Sequence, residues 1–389
     1  MKILTIVGAR PQFIKAAAVS RAISEYNKSV ADRTSLIEEA ILHTGQHYDL
    51  NMSDVFFEEM RIPSPDFYLN VNRLSHGAMT GQMLEKIEEV LVKEKPDIVL
   101  VYGDTDTTLA GALAAVKLHI RVAHVEAGLR SFNRQMPEEI NRLVTDRVSS
   151  ILFCPTETAV RNLKAEGIGV QSSSFGKSAS SSTGPTNSGA KRIDKRSQTV
   201  ALVGDVMYDS VLYYLKLAET KSKILEKLSL RPGSYALATV HRAENTIDSN
   251  RLKSIFAALE QIALNQHTVV LPLHPRTHKA IRESGLKLKY VKIIEPVSYL
   301  DMLLLEKEAK IILTDSGGVQ KEAYWMKVPC ITLRDETEWI ETVEENWNIL
   351  AGADTQKIVA SANANSWPAN QSQIFGAGQS SNKIVKILV

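Results

Sequence analysis

The sequence predicts an α/β protein built from two doubly wound, Rossmann-like parallel sheets. Short aliphatic and β-branched runs alternate with amphipathic helical stretches, this alternation occurs twice, and a serine-rich stretch separates the two halves. Strands that alternate with helices are typical of parallel sheets with helical crossovers. At 389 residues the chain is also too long for one ordinary core, which favours two domains.

Each half contains its own set of strand-like runs. In the first half, strands are predicted at 2–8, 38–45, 97–104, 121–128 and 150–156, with helices at about 12–27, 76–94, 107–118 and 138–148. In the second half, strands are predicted at 199–205, 235–241, 267–274, 290–296, 310–316 and 329–335.

The predicted domain organisation has three parts. Residues 1–205 form an N-terminal Rossmann-like domain, residues 206–372 a C-terminal one that binds the nucleotide, and residues 373–389 a helix that packs back on the N-terminal domain. Residues 171–190 contain eight serines and three glycines, a composition that cannot bury an apolar face. We therefore expect a flexible surface insertion at 171–198, with a regulatory phosphorylation segment as the alternative.

Composition argues against several classes of partner. The net charge of +2 gives no reason to expect nucleic acid. No apolar stretch approaches the length of a membrane span, and the apolar part of MKILTIVGARP is too short for a signal peptide. We therefore expect a cytoplasmic protein. Cys154 and Cys330 lie in separate strand-like runs, which favours buried free thiols over a disulfide or a metal site.

Polar groups follow nearly every predicted strand in both halves. Ligands of open α/β sheets bind beyond the carboxyl ends of the strands, and a cleft between two facing sheets would bring these groups together. The first predicted βα turn has the sequence GARPQFIK. Its two cations, Arg10 and Lys15, lie at the start of a helix, where they oppose the helix dipole. This favours a phosphate-binding role for them over the alternative of two solvent-exposed side chains. The turn has neither a dinucleotide fingerprint nor a Walker loop.

The stretch IILTDSGGVQKEA places Ser316, Gly317 and Gly318 at the mouth of a helix expected from Val319. Backbone N–H groups at a helix start can bind an anion, and glycine permits close approach. The alternative is an ordinary turn that is capped by Asp315 or Ser316.

Three carboxylates are candidates for acid–base chemistry. Asp104 and Glu126 end buried strands, and Glu138 opens a helix after Pro137. The structural alternative for Glu138 is a salt bridge with Arg142, four residues further on. His241 ends a strand of the second half, as does His274, which we expect to be structural. No His or Cys pair has the spacing of metal ligands, so no metal site is predicted.

The chain resembles the non-hydrolysing UDP-N-acetylglucosamine 2-epimerases, which are similar in fold to two-domain (GT-B-type) nucleotide-sugar glycosyltransferases. The resemblance covers almost the whole chain except the serine-rich insertion. It rests on GARPQFIK, HTGQHYD, YGDT, HVEAGLRS, PEEINR, HRAEN, LTDSGGVQKEA and FGAGQSSNKI, in that order.

The resemblance implies roles for the residues named above. Asp104, Glu126, Glu138 and His241 match catalytic positions. The remaining matches are to the UDP site: Ser316, Gly317, Gly318, Arg10 and Lys15 on the phosphates and Glu322 on the ribose. Gln46 and His47 match residues that contact a second, activating UDP-sugar in some members.

The implied activity is inversion of C2 of a UDP-N-acetylhexosamine through a glycal, for surface polysaccharide precursors, by a cytoplasmic homodimer that needs no cofactor. Thr337-Glu338 is followed by Trp339 where the family commonly has arginine, a form that resembles the subgroup acting on UDP-2,3-diacetamido uronic acids. The alternatives are a UDP-sugar-dependent glycosyltransferase, a hydrolysing epimerase and a non-catalytic nucleotide-sugar sensor.

Overall fold

The structure, a computed structural model, describes residues 1–46, 62–72, 74–169, 198–364 and 367–389. These residues form two compact units. The first comprises the described residues up to Val206 together with Gln379–Val389, and the second extends from Met207 to Gly378. Except for Gln198, the predicted serine-rich insertion at 171–198 lies outside the described residues, as does His47.

The first unit contains a seven-stranded parallel sheet in the order β3-β2-β1-β4-β5-β6-β7. Its strands are β1 (Lys2–Val7), β2 (Glu38–His43), β3 (Phe67–Tyr68), β4 (Ile98–Tyr102), β5 (Arg121–Val125), β6 (Ile151–Cys154) and β7 (Thr199–Leu202). The central strand β4 is buried along its whole length, which explains its continuous apolar sequence IVLVY.

The described helices of this unit follow its strands along the chain. They are α1 (Arg10–Ser29), α2 (His76–Glu94), α3 (Asp106–Lys117), α4 (Pro137–Val148) and α5 (Glu157–Ala165), with a short 3-10 helix at Arg33–Ser35. In α2 the buried residues Met83, Ile87 and Leu91 recur every four positions, which places them on one helical face.

The second unit contains a six-stranded parallel sheet in the order β10-β9-β8-β11-β12-β13. Its strands are β8 (Tyr235–Thr239), β9 (Thr268–Pro272), β10 (Lys292–Ile294), β11 (Ile311–Thr314), β12 (Cys330–Thr332) and β13 (Asn348–Leu350). Its helices are α6 (Val206–Lys221), α7 (Ile224–Leu228), α8 (Ala243–Ile247), α9 (Ser249–Asn265), α10 (Pro275–Ser284), α11 (Tyr299–Lys307), α12 (Gly317–Trp325), α13 (Ile340–Glu344) and α14 (Thr355–Ala362).

The C-terminal helix α15 (Ser380–Leu388) belongs to the first unit and packs against α1. It buries Ile384, Val385 and Leu388. The chain therefore returns to its first unit after the second is complete.

The predicted fold class, two doubly wound parallel sheets with helices, is confirmed. The short strands β3 and β13 were not predicted. Cys154 and Cys330 are free and buried, as expected. Within the described ranges, no helix is long and apolar enough to cross a membrane.

Candidate active site

Arg10 and Lys15 lie in helix α1, directly after strand β1. Arg10 is the first residue of the helix and is partly exposed, whereas Lys15 is buried. The backbone amides of Gly8 and Ala9 donate to Gln12 Oε1 at 2.8 and 3.0 Å. Because these amides are already occupied, a phosphate at this turn would be held by side chains.

Gln12 is a buried residue of this turn that was not among the predicted site residues. Its Nε2 also donates to the carbonyl oxygen of Tyr102 at 2.7 Å and to the hydroxyl of Thr108 at 2.9 Å. The glutamine thus ties the first turn to the turn that follows β4. A lone glutamine gives no sequence signal for this role, because Tyr102 is 90 residues away.

The ammonium of Lys15 forms an ion pair with the carboxylate of Glu126. The Lys15 side chain is 7% exposed and that of Glu126 is 11% exposed. A Cβ built at Gly103 would lie 3.5 Å from Lys15 Nζ, so the ammonium also lies beside the turn after β4. Lys15 was predicted to bind phosphate, and its pairing with a candidate catalytic acid was not predicted.

Asp104 follows β4 through Gly103, whose φ of +64° is readily adopted only by glycine. Burial raises the pKa of the Asp104 carboxyl above its ordinary 3.8, although a third of the side chain reaches the surface. Arg142 and Lys15 oppose this increase in pKa, and Glu126 and Glu138 add to it. The three predicted acids are therefore close enough for the charges of two to act on the third.

Glu126 occupies a strained backbone position at the end of β5. Its φ is +75°, in the left-handed region that non-glycine residues rarely adopt. Such conformations cost on the order of 1–3 kcal/mol and persist where the surrounding structure enforces them, often at functional sites. Here the amides of Glu126 and Ala127 both donate to the carbonyl of Phe153, at 3.1 and 3.0 Å.

Glu138 lies in the first turn of α4, at the positive end of the helix dipole. The structural alternative was a salt bridge between Glu138 and Arg142, but Arg142 pairs with two other acids. Arg142 Nε lies 3.4 Å from Glu139 Oε2, and Arg142 Nη1 lies 3.7 Å from Asp104 Oδ2. The i,i+3 spacing to Glu139 points to the same helical face, which leaves the structural alternative for Glu138 without support.

Glu139, which sequence reasoning missed, is buried and structural. It accepts hydrogen bonds from Ser131 N at 3.0 Å, Ser131 Oγ at 3.0 Å and Phe132 N at 3.1 Å. It therefore fixes the segment between β5 and α4.

Gln46 lies near the same strand ends. Its Oε1 accepts hydrogen bonds from Thr107 N at 3.1 Å and Thr107 Oγ1 at 2.7 Å, at the start of α3. Its neighbour His47, which was predicted with it, is outside the described residues.

In the second unit, Ser316 is the N-cap of α12, and its hydroxyl accepts from Val319 N at 3.5 Å. The helix begins at Gly317, two residues earlier than predicted. Gly317 and Gly318 therefore occupy the first turn, where amides have no intrahelical acceptor. Ser316, not Asp315, is the cap.

Asp315 is completely buried and joins the ends of β8 and β11. Its carboxylate accepts from His241 N, from Arg242 N at 3.0 Å and from Asn245 Nδ2 at 3.1 Å. His241 is thereby fixed by its backbone beside the turn at Ser316.

The His241 side chain is 41% exposed, and its Nε2 lies 3.8 Å from Asp315 Oδ1. Desolvation lowers the pKa of His241 below its ordinary 6.5, Arg242 and Arg276 add to this effect, and Asp315 opposes it. The imidazole is therefore neutral at pH 7. His274 caps α10 by accepting from Arg276 N at 3.2 Å, the structural role that was expected of it.

An ion cluster lies beside the Gly317 turn. Glu338 pairs with Arg334 at 2.9 Å and with Arg242 at 3.9 Å. Burial alone would raise the pKa of Glu338, but Arg334 and Arg242 outweigh it, and the pKa is lower than 4.5. A Cβ built at Gly317 would lie 3.3 Å from Trp339 Nε1 and 3.7 Å from Glu338 Oε2.

Trp339 is 5% exposed, and the Lys321 ammonium lies 3.8 Å from its ring centroid. This cation–π contact fixes the indole next to the turn. On the same helix, Glu322 accepts a hydrogen bond from the hydroxyl of Tyr299 at 3.2 Å.

The candidate residues thus form one group in each unit. The first unit brings together the three acids with Lys15 and Arg142, and the second brings His241 close to the turn at Ser316. In the described part of the chain, no three His, Cys, Asp or Glu side chains are arranged to hold a metal ion.

Comparisons with known proteins give relatives along the whole chain. The family model for UDP-N-acetylglucosamine 2-epimerase matches residues 29–389. The chain is 52% identical to a UDP-N-acetylglucosamine 2-epimerase homolog of Methanococcus maripaludis, over 100% of this chain and 99% of the relative. It is 49% identical to UDP-2,3-diacetamido-2,3-dideoxy-D-glucuronate 2-epimerase of Pseudomonas aeruginosa, with the same coverage.

A solved structure is also similar over the whole length. The crystal structure of Methanocaldococcus jannaschii UDP-GlcNAc 2-epimerase, in complex with UDP-GlcNAc and UDP, matches with a TM-score of 0.84 and 44% identity, over 100% of this chain and 99% of that one. Sequence and fold therefore agree over the full chain, which belongs to the UDP-N-acetylglucosamine 2-epimerase family.

Proposed function

We propose that the protein is a non-hydrolysing epimerase that inverts C2 of a UDP-linked 2-acetamido sugar. The observation that carries this proposal is the grouping of Asp104, Glu126 and Glu138, with the pKa of Asp104 raised. A carboxyl group whose pKa is raised toward neutrality is better suited to proton transfer than an ordinary exposed acid.

The reaction needs no cofactor. A base removes the C2 proton while the C1–O bond to UDP breaks and the electron pair leaves with the phosphate, which gives a 2-acetamidoglycal and UDP. UDP then forms the C1–O bond again, and an acid delivers a proton to C2 from the opposite face. Atoms and electrons balance, and no net oxidation occurs.

Two proton-transfer groups on opposite faces of the sugar are therefore required. Asp104, Glu126 and Glu138 of the first unit supply more than one candidate. Negative charge develops on the leaving phosphate. We assign its stabilisation to the first-turn amides of α12, to Ser316 and to Arg10. Glu322 would bind the ribose.

Lys15 and His241 are the remaining candidate residues. Because Lys15 is paired with Glu126, we propose that it acts on the three carboxylates and not on the phosphate. The neutral imidazole of His241 carries one N–H, which can donate to the departing phosphate oxygen.

For the sugar we propose the 2,3-diacetamido uronic acid. Support comes from Trp339, which stands where the family commonly has arginine, and from the 49% identity to the Pseudomonas epimerase of that substrate. The test compares kcat/KM for the two UDP-sugars. Equal or better turnover of UDP-N-acetylglucosamine would refute this choice.

The reaction itself is tested by NMR in deuterated water with each UDP-sugar. We expect deuterium at C2 of a sugar that is still linked to UDP. Release of free sugar would indicate a hydrolysing epimerase instead. No change at C2 would contradict the proposal and would favour a transferase or a nucleotide-sugar sensor.

We also propose a cytoplasmic homodimer, as in the resemblance described above. Light scattering coupled to size-exclusion chromatography tests the dimer, which a mass near 43.0 kDa would exclude.

A further inference from the structure

His124 lies in strand β5, two residues before Glu126, and its side chain is completely buried. Both ring nitrogens face oxygen atoms. Nδ1 lies 2.7 Å from Asp146 Oδ1, and Nε2 lies 2.8 Å from the carbonyl oxygen of Gly103. No role in the reaction was assigned above to His124 or to Asp146.

The partners determine where the protons are. A carbonyl oxygen cannot donate, so Nε2 must carry a proton. Asp146 also accepts from Gly128 N at 3.1 Å and lies 2.7 Å from Arg130 Nη1, an arrangement that suits an ionised carboxylate. Burial alone would raise the pKa of Asp146, but His124 and Arg130 outweigh it and the pKa is below 3.8. Nδ1 faces this carboxylate, so both ring nitrogens of His124 are placed to donate.

His124 and Asp146 join the turns that carry two of the proposed reaction carboxylates. Gly103 directly precedes Asp104, and its peptide groups are fixed from two sides: its amide donates to Val125 O at 3.0 Å and its carbonyl accepts from His124. Asp146 in turn holds the amide of Gly128, two residues after Glu126.

We propose that His124, held as an imidazolium by Asp146, is a positioning residue that sets the geometry of Asp104 relative to Glu126. The inference rests on the proposed epimerase function for its kinetic consequence. The strained backbone of Glu126 supports it, because such a conformation persists only when neighbouring bonds enforce it. The ion pair itself is weak evidence for added stability, since apolar replacements of buried pairs are often as stable.

The protonation state is tested without substrate, on the full-length protein labelled with ¹⁵N in histidine. At pH 8 we expect one ring with two bonded N–H protons, which disappears from the spectrum of the His124→Gln variant. A neutral His124 ring with a single N–H would overturn the proposal. This measurement is made on the wild-type protein and depends neither on the sugar nor on the reaction; only the assignment of the signal uses the His124→Gln variant.

The positioning role is tested by kinetics of His124→Gln and Asp146→Asn. We expect kcat to fall by about tenfold to a hundredfold, since small displacements of reacting groups have effects of this size. KM and UDP affinity should stay within about threefold, because the proposed phosphate contacts lie elsewhere. The control is Leu91→Ala, a core truncation in helix α2 that is expected to lower Tm without lowering kcat.

If His124→Gln keeps kcat within threefold of the Leu91→Ala control, the positioning role is wrong. A wild-type protein that exchanges no C2 proton would instead contradict the proposed function, and the two failures are therefore distinguishable.

Discussion

The ammonium of Lys15 is paired with the carboxylate of Glu126, and both side chains are largely buried. The pair brings helix α1 and the end of strand β5 into contact within the first unit. Because of this pair we propose that Lys15 acts on the proton transfer, whereas the resemblance implied a role at the phosphates.

Lys15→Met should therefore separate the two roles. Methionine keeps the length and the apolar stem but removes the charge that neutralises Glu126, and loss of one partner of a buried pair is costly. We expect kcat to fall by about tenfold or more while the Kd for UDP stays within about threefold. A parallel loss of UDP affinity, measured by calorimetry, would return Lys15 to the phosphate site.

Asp104→Asn should raise Tm at neutral pH. The pKa of Asp104 is raised in the folded protein, so the folded state binds its proton more tightly than the unfolded chain does. The ionised carboxylate therefore destabilises the fold at pH values above this raised pKa. The destabilisation shrinks as the pH falls through the raised pKa toward the ordinary 3.8, where the unfolded chain is protonated as well.

Thermal melts of the wild type and of Asp104→Asn, taken from pH 7.5 down to the ordinary pKa of 3.8, check this sign. The gain in Tm for the variant should be largest at pH 7.5 and smaller in acid. A variant that melts lower than the wild type at pH 7.5 would show that Arg142 and Lys15 stabilise the ionised form more than burial opposes it.

Gly318→Ala should weaken UDP binding without harming the fold. A Cβ at this position would meet only Ser316 Oγ, at 3.8 Å, so the unliganded protein has room for it. We expect the Kd for UDP to rise by about tenfold, or ~1.4 kcal/mol, because the methyl group occupies the approach to the first-turn amides. Gly317→Val should also weaken UDP binding. This substitution must in addition displace Trp339, because a Cβ at position 317 would lie 3.3 Å from Trp339 Nε1.

The matched control is Gly81→Ala in helix α2, where a Cβ meets nothing within 4 Å. It should leave UDP affinity unchanged. Calorimetry that gives the same Kd for Gly318→Ala and Gly81→Ala would exclude the turn at Ser316 as the phosphate site.

Removal of residues 171–197 should leave turnover near that of the wild type. The serine- and glycine-rich composition of 171–190 offers no apolar face, and Gly169 lies directly against the side chain of Val200. A link of about four residues, which spans up to ~13 Å, should join the ends. The control is a variant in which the residues of the segment are kept but their order is scrambled. Turnover and Tm are measured for both proteins. A large loss of turnover at unchanged Tm in the deletion would show that the segment contributes to the site.

Strands such as β4 and β8 could be predicted because each is a buried apolar run that ends in a polar turn. Strands β3 and β13 could not, because Phe67–Tyr68 and Asn348–Leu350 are too short to show a pattern. The start of α12 was placed two residues late, since glycine is a poor helix former and the cap at Ser316 overrides this propensity.

Asp104 and Glu126 could be singled out because they follow buried strands, where an unpaired charge is costly, and Glu138 because it opens a helix after Pro137. Their partners could not. The Lys15–Glu126 pair and the Asp146–His124 hydrogen bond depend on how separate βα units pack, and no local spacing encodes that. The salt bridge considered for Arg142 was with Glu138, whereas the structure pairs Arg142 with Glu139. Residues at i,i+3 and i,i+4 both lie on the same helical face, so the sequence does not distinguish the two partners.

The most direct test of the account follows C2 proton exchange in deuterated water for Asp104→Asn, Glu126→Gln and Glu138→Gln. Each amide keeps the shape of the side chain but cannot accept or return a proton at neutral pH. We predict that each variant loses exchange and epimerisation while its UDP affinity stays within about tenfold, or ~1.4 kcal/mol. A folded, UDP-binding variant of any of the three that keeps most of its exchange would contradict the account and remove that acid from the reaction.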